Sequence, residues 1–222
     1  MKVSFRLLIV LFTVSLSTAL TNTATAADKT KTPIILVYGD SLSAAYSMRQ
    51  EQGWVSLLQQ RLKTQGFPHQ VINASVSGET TSGGLSRLPI TLRQHQPDIV
   101  LLELGANDGL RGLPLAQMRK NLEALIKASK QAGAEVVLLG IMIPPNYGSR
   151  YTQEFSQSFT ELAKHHDLPL VKFLLEGVAG KPELTLDDGL HPSAAAQPKI
   201  LDNVWQVLQP ELAKTKLDTV AR

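Results

Sequence analysis

The chain contains no cysteine, and aromatic residues make up only 5% of its 222 positions. Without a thiol there are no disulfides, no zinc ribbon, no iron–sulfur cluster, no cysteine nucleophile and no lipidated cysteine. Low-complexity tracts are missing too, and 43% hydrophobic content is enough to build one core, so wholesale disorder is excluded. No G-x-G-x-x-G occurs. The glycines between Gly78 and Gly84 are not followed by the Lys-Ser/Thr of a phosphate-binding loop. Charge of one sign is also scarce, with 22 basic residues against 19 acidic ones for a net +3.

Part of that small excess lies in the first 26 residues. Lys2 and Arg6 precede an apolar run from Leu7 to Leu16, and Ala24-Thr25-Ala26 follows a short polar stretch. This is the pattern of a secretory signal peptide. The run is about half of the roughly 20 residues that a membrane-spanning helix needs, so no stable membrane anchor is expected. Cleavage after Ala26 leaves residues 27–222 as a single domain, with 20 basic and 19 acidic residues. A nearly neutral exported chain has no field to attract phosphate backbones, so nucleic acid is excluded as a partner. The expected location is the periplasm if the source is Gram-negative, and outside the cell otherwise. The expected state is a monomer.

Apolar runs of strand length occur at residues 34–38, 70–73, 99–104, 135–141 and 170–173. Helical periodicity separates them: Trp54, Leu57, Leu58 and Leu62; Leu115, Met118, Leu122, Leu125 and Ile126; and Ile200, Val204, Val207, Leu208 and Leu212. Weaker helical segments cover about 82–95, where Pro89 should kink an interior turn, and 151–167. Alternation of strand and helix, with nearly continuous apolar strands, predicts an α/β fold on a parallel sheet covered on both faces. Ligands of such sheets bind at the carboxyl ends of the strands, where strand order reverses.

The first strand leads into Gly39-Asp40-Ser41-Leu42-Ser43, where glycine permits unusual backbone angles. Ser41 is expected close to the positive end of the following helix, whose field favours charge developing on attack at a carbonyl. Gly-Asp-Ser is also a common turn and cap tripeptide, and the G-x-S-x-G elbow is absent. After the second strand, Gly78 offers a backbone N–H and lets substrate approach closely. After the third, Asn107 in Gly105-Ala106-Asn107-Asp108-Gly109 offers an amide donor, although Asn-Asp-Gly is ordinary turn chemistry as well. Near the C-terminus, Asp188 stands three residues before His191, within reach of Nδ1, and Pro192 keeps the histidine on a loop. Each signal is weak by itself. With strand order 2-1-3-4-5, however, the first three loops become neighbours centred on Ser41. Acyl transfer requires that arrangement of nucleophile, base and oxyanion donors.

The segments YGDSLSAAY, NASVSGETT, LELGANDGLRG and DDGLHPSAAAQ resemble, in order, the signature blocks of the SGNH hydrolases, also called the GDSL esterase/lipase family. Ser41, Gly78, Asn107 and His191 carry the four letters, and Asp188 completes the triad. The stretches LPITLRQHQP and PPNYGSRY, together with the leader, resemble the family's bacterial periplasmic acyl-CoA thioesterase, lysophospholipase and arylesterase members. The resemblance implies a three-layer α/β/α, flavodoxin-like sandwich with five parallel strands. It also implies ester and thioester hydrolysis without metal or organic cofactor. Ser41, Asp188 and His191 would form the triad, and Ser41, Gly78 and Asn107 the oxyanion hole.

Apolar residues in the loops after strands three and four, Leu110, Leu113, Ile143, Pro144, Pro145 and Tyr147, are candidates for an acyl-chain groove or for packing beneath the loops. The partner is then a small acyl ester or thioester. Ala45 and Ala106 stand where the family often has glycine, and their methyls are expected to narrow the cleft. A carbohydrate O-acetylesterase on the same fold and a non-catalytic flavodoxin-like binding domain are the alternatives. The first would want polar and aromatic sugar platforms, and the second an acidic cluster after strand one.

Overall fold

In the computed structural model, residues 32–220 are described, with side chains to residue 212. The leader expected over residues 1–26 lies outside the described residues. Five parallel strands form one sheet: β1 (Ile34–Gly39), β2 (Gln70–Asn73), β3 (Ile99–Glu103), β4 (Glu135–Leu139) and β5 (Leu170–Val171). Their spatial order is β2-β1-β3-β4-β5, the order expected from the sequence. The chain steps from β1 to β2 on one side, then crosses to β3 on the other. The reversal therefore falls between β1 and β3, which pair from Ile35 with Ile99 to Gly39 with Glu103.

Continuous apolar strands follow from burial on both faces. Ile35 to Tyr38 on β1 and all of β3 are shut away from solvent, whereas edge strand β2 begins and ends on exposed polar residues. The helices are α1 (Trp54–Thr64), α2 (Thr81–His95), α3 (Ala106–Leu110), α4 (Leu115–Gln131), α5 (Ser149–His166) and α6 (Gln197–Val220). α1 packs on α6, while α4 packs on both α2 and α5, which gives one helical layer on each face of the sheet. On α6, Ile200, Val204, Leu208 and Leu212 recur every four residues and are fully buried.

Several boundaries differ from the sequence expectation. β3, β4 and β5 stop one or two residues early, although Leu104 and Ile141 stay buried because the loops that carry them turn back into the core. At the end of β4, Gly140 donates its N–H to Val171 O at 2.7 Å, and a side chain there would collide with the Lys172 carbonyl. Pro89 does not end α2, which runs through it for 15 residues. α3 was not expected at all. Among the described residues no helix is long and apolar enough to cross a membrane.

Candidate active site

The first strand delivers Ser41 into a tight turn. Asp40 O accepts the N–H groups of Ser43 (3.2 Å) and Ala44 (3.0 Å), and Asp40 Oδ1 accepts that of Leu42 (3.0 Å). Trp54 Nε1 donates to Leu42 O and Asn73 Nδ2 to Ser43 O, so the turn is fixed from two sides. The expected helix N-terminus is not beside Ser41, because residues 41–47 form turns and α1 begins only at Trp54. Gly39 also plays a different part from the one expected. Its backbone is ordinary, but a Cβ there would run into Glu103, so close approach rather than unusual angles requires glycine.

His191 Nε2 lies 2.9 Å from Ser41 Oγ, and its Nδ1 lies 2.7 Å from Asp188 Oδ2. Asp188 Oδ1 accepts the backbone N–H groups of Leu190 and His191, both at 2.9 Å. Desolvation opposes ionisation of Asp188, yet these two bonds and the imidazole outweigh it and hold the carboxyl at about 2. An ionised Asp188 can only accept, so Nδ1 carries a proton and Nε2 is left to accept from the Ser41 hydroxyl.

Gly78 occupies the left-handed region (φ +80°), which favours glycine, and Arg111 Nη2 donates to its carbonyl at 3.0 Å. Among the described residues, no acceptor takes the Ser41 or Gly78 backbone N–H. Asn107 sits on the first turn of α3, not on a loop, and its Nδ2 donates to Asp40 Oδ2 at 3.0 Å. An amide nitrogen has two hydrogens, so that bond orients the group and leaves one hydrogen over. Three backbone or amide donors, on the Ser41 turn, the Gly78 loop and the first turn of α3, therefore have hydrogen-bonding capacity unspent.

A buried polar layer escaped sequence reasoning. Glu103, the last residue of β3, accepts from Asp40 N (3.1 Å) and Ser43 Oγ (2.8 Å), and it is completely buried. Burial and the charge of Asp40 push the Glu103 carboxyl well above the usual carboxylate range. Burial also raises Asp40, against the pull of the Leu42 N–H, the Asn107 amide and His191. Asp108 accepts from Thr81 N (2.8 Å) and Thr81 Oγ1 (2.6 Å), and Asn121 Nδ2 donates to Thr81 Oγ1 (3.0 Å). These bonds clamp α3 to the start of α2, which fixes the Asn107 and Gly78 loops relative to each other. The available signal for Glu103 was a lone carboxylate closing an otherwise apolar run, Ile-Val-Leu-Leu-Glu.

The groove candidates divide. Ile143 is buried in the core and would contact a side chain at Gly109, while Leu113 and Tyr147 are exposed. Leu110 and Pro144 are half-buried and Pro145 is exposed. Tyr147 Oη donates to Leu110 O at 3.0 Å, which joins the loops after β3 and β4. The methyl of Ala45 lies against Gly53 and Ala106 lies in the core, so packing takes up both rather than the cleft. His69 is buried. His165 and His166 gather with Glu123 at the sheet edge opposite Ser41, where Lys127 Nζ already pairs with Glu123 at 2.7 Å.

Residues 37–197 match the GDSL-like Lipase/Acylhydrolase family. The chain is 49% identical over 178 residues to the esterase TesA of Pseudomonas aeruginosa, covering 80% of this chain and 89% of that one. It is 45% identical over 191 residues to thioesterase 1/protease 1/lysophospholipase L1 of Escherichia coli K12, covering 86% and 88%. The psychrotrophic esterase EstA from a Pseudoalteromonas species, solved inhibited by monoethylphosphonate, superposes with a TM-score of 0.78 at 47% identity. That match covers 81% of this chain and 98% of the other. The chain belongs to the GDSL-like lipase/acylhydrolase family, and it is an ester hydrolase.

Proposed function

We propose that the chain is an exported serine hydrolase that cleaves esters and thioesters of acyl chains through Ser41, His191 and Asp188. The observation that carries this reading is the chain of short contacts from Ser41 Oγ through His191 to Asp188. In acylation, Ser41 Oγ attacks the carbonyl carbon while His191 Nε2 takes its proton. The oxyanion is received by the Ser41 and Gly78 N–H groups and the Asn107 amide. The tetrahedral adduct collapses, the bond to the leaving group breaks, and the imidazolium returns its proton to the departing oxygen or sulfur. Water then attacks the acyl-enzyme with His191 as base, which frees the acid and restores Ser41. Because Asp188 stays ionised down to about 2, it steadies the imidazolium at any pH near neutral.

Two of the relatives are named as thioesterase, lysophospholipase and esterase, which supports acyl thioesters and lysophospholipids as substrates beside simple esters. Exposed Leu113 and Tyr147, the latter bonded to the carbonyl of half-buried Leu110, offer an apolar path for the acyl chain. Export rests on the basic, apolar and Ala-x-Ala order of residues 2–26. An organophosphonate should label the purified protein at Ser41, and Ser41→Ala should abolish both the labelling and the hydrolysis of p-nitrophenyl esters while the fold is kept. Residual turnover in that variant would exclude Ser41 as nucleophile. A panel of acyl-CoA, lysophospholipid and acetylated-sugar substrates then ranks the classes, and a preference for acetylated sugars would overturn the acyl-chain reading.

A further inference from the structure

We infer that Tyr46 is a positioning residue that holds the His191 imidazole by its face, and that its grip matters most after Ser41 has been acylated. The inference rests on the triad reading above. The Tyr46 ring lies over His191 with centroids 4.4 Å apart and planes inclined by 35°. Tyr46 is 42% exposed, so core packing does not account for where it stands. The residues on either side, Ala45 (φ 57°) and Ser47 (φ 54°), both occupy the left-handed region, which is costly for residues with a Cβ. Two departures of this kind flank one exposed aromatic ring, a pattern that marks functional loops.

The loop that carries Tyr46 also carries Ser41, and it is fixed at Leu42 and Ser43 by Trp54 and Asn73 and at Ala44 by Gln50 Nε2. One rigid turn therefore touches His191 twice, at the Nε2 edge through Ser41 and on the face through Tyr46. Asp188 supplies the third restraint at Nδ1. In the resting enzyme all three act together. In the acyl-enzyme, Ser41 Oγ is esterified and has no proton to donate, so the Nε2 restraint is lost. The imidazole is then tied at one edge only and is free to swing about that bond. The tyrosine face closes off the swing and keeps Nε2 aimed at the place where water must attack. It also meets the imidazolium that forms as water is deprotonated, when Ser41 no longer shares in holding the ring.

The test is pre-steady-state hydrolysis of p-nitrophenyl butyrate by wild type, Tyr46→Phe, Tyr46→Leu and Tyr46→Ala, with denaturant unfolding of each. Tyr46→Ala and Tyr46→Leu should keep the acylation phase near the wild-type rate and slow the steady state by roughly three- to thirty-fold, a p-nitrophenol burst preceding it. Tyr46→Phe keeps the ring and should restore the steady-state rate. Loss of the tyrosine ring current should also move the His191 ring protons downfield in NMR spectra. Unchanged turnover in both truncations overturns the inference. So does equal slowing of both phases, or a loss in Tyr46→Phe matching that in Tyr46→Ala, which would assign the effect to the hydroxyl. Failure of the triad reading shows elsewhere, as turnover surviving Ser41→Ala, so the two outcomes stay distinct.

Discussion

Ser41, His191 and Asp188 reach solvent, whereas Asp40, Thr81, Glu103 and Asp108, their neighbours in the fold, are at most 3% exposed. The outer group forms one short chain of side-chain contacts that ends at a single hydroxyl. The inner group makes many, none of them to a reacting atom, and it links β1, β3, α2, α3 and α4. In the outer layer a lost hydrogen bond is replaced by water, so its members can be removed at a cost in rate more than in stability. In the inner layer no water replaces it, and the stranded partner carries the full cost of its burial.

Asn107 spans the two layers, with its amide tied to Asp40 and one hydrogen left over. The largest effect short of losing Ser41 is expected there: Asn107→Ala should lower kcat by roughly a hundred- to a thousand-fold while KM changes little. A change confined to KM would move Asn107 out of the oxyanion hole and into the inner layer. The next effect is on stability. Asp108→Ala strands the Thr81 N–H and hydroxyl, and urea unfolding should show a loss of about 2–4 kcal/mol. A loss in rate without a loss in stability would erase the distinction between the layers.

The smallest effect concerns Glu103 and pH. Its native pKa stands well above the ordinary 4.5, so the folded protein binds a proton that the unfolded chain releases. Stability from this group is full below 4.5 and declines as pH rises toward the native value. Asp40, also raised by burial, acts in the same direction. Glu103→Gln keeps the shape and abolishes the titration. Its Tm should therefore fall less than that of wild type between pH 5 and pH 8, with activity at neutral pH retained. Equal slopes in the two proteins would mean that Glu103 carries charge in the native state.

The two layers also differ in how far they could be read before folding. Parallel strands were legible because burial on both faces leaves an unbroken apolar run, and the order 2-1-3-4-5 was legible as one that brings the three donor loops together. The grouping of Ser41, His191 and Asp188, which the fold brings within hydrogen-bonding distance, was legible through the resemblance to the family's signature blocks. α3 was hidden because Ala-Asn-Asp-Gly-Leu has poor helix propensity, and its single turn forms where Asp108 reaches across to Thr81. Glu103 was hidden because its role depends on the pairing of Gly39 with Glu103, a register that no local pattern announces. Tyr46 was hidden because only folding brings the His191 loop under its ring. Tertiary partners, not local spacing, define these positions.

The bond between Ser41 and His191 joins positions 150 residues apart. Nearly the whole sheet must be assembled before the Ser41 hydroxyl meets the His191 imidazole, so under the proposed mechanism the hydroxyl is inert in any nascent chain that ends short of residue 191. Hydrolysis is thus a late event in the folding of this molecule. In refolding experiments, the first appearance of turnover should mark the docking of the histidine loop rather than the collapse of the strands.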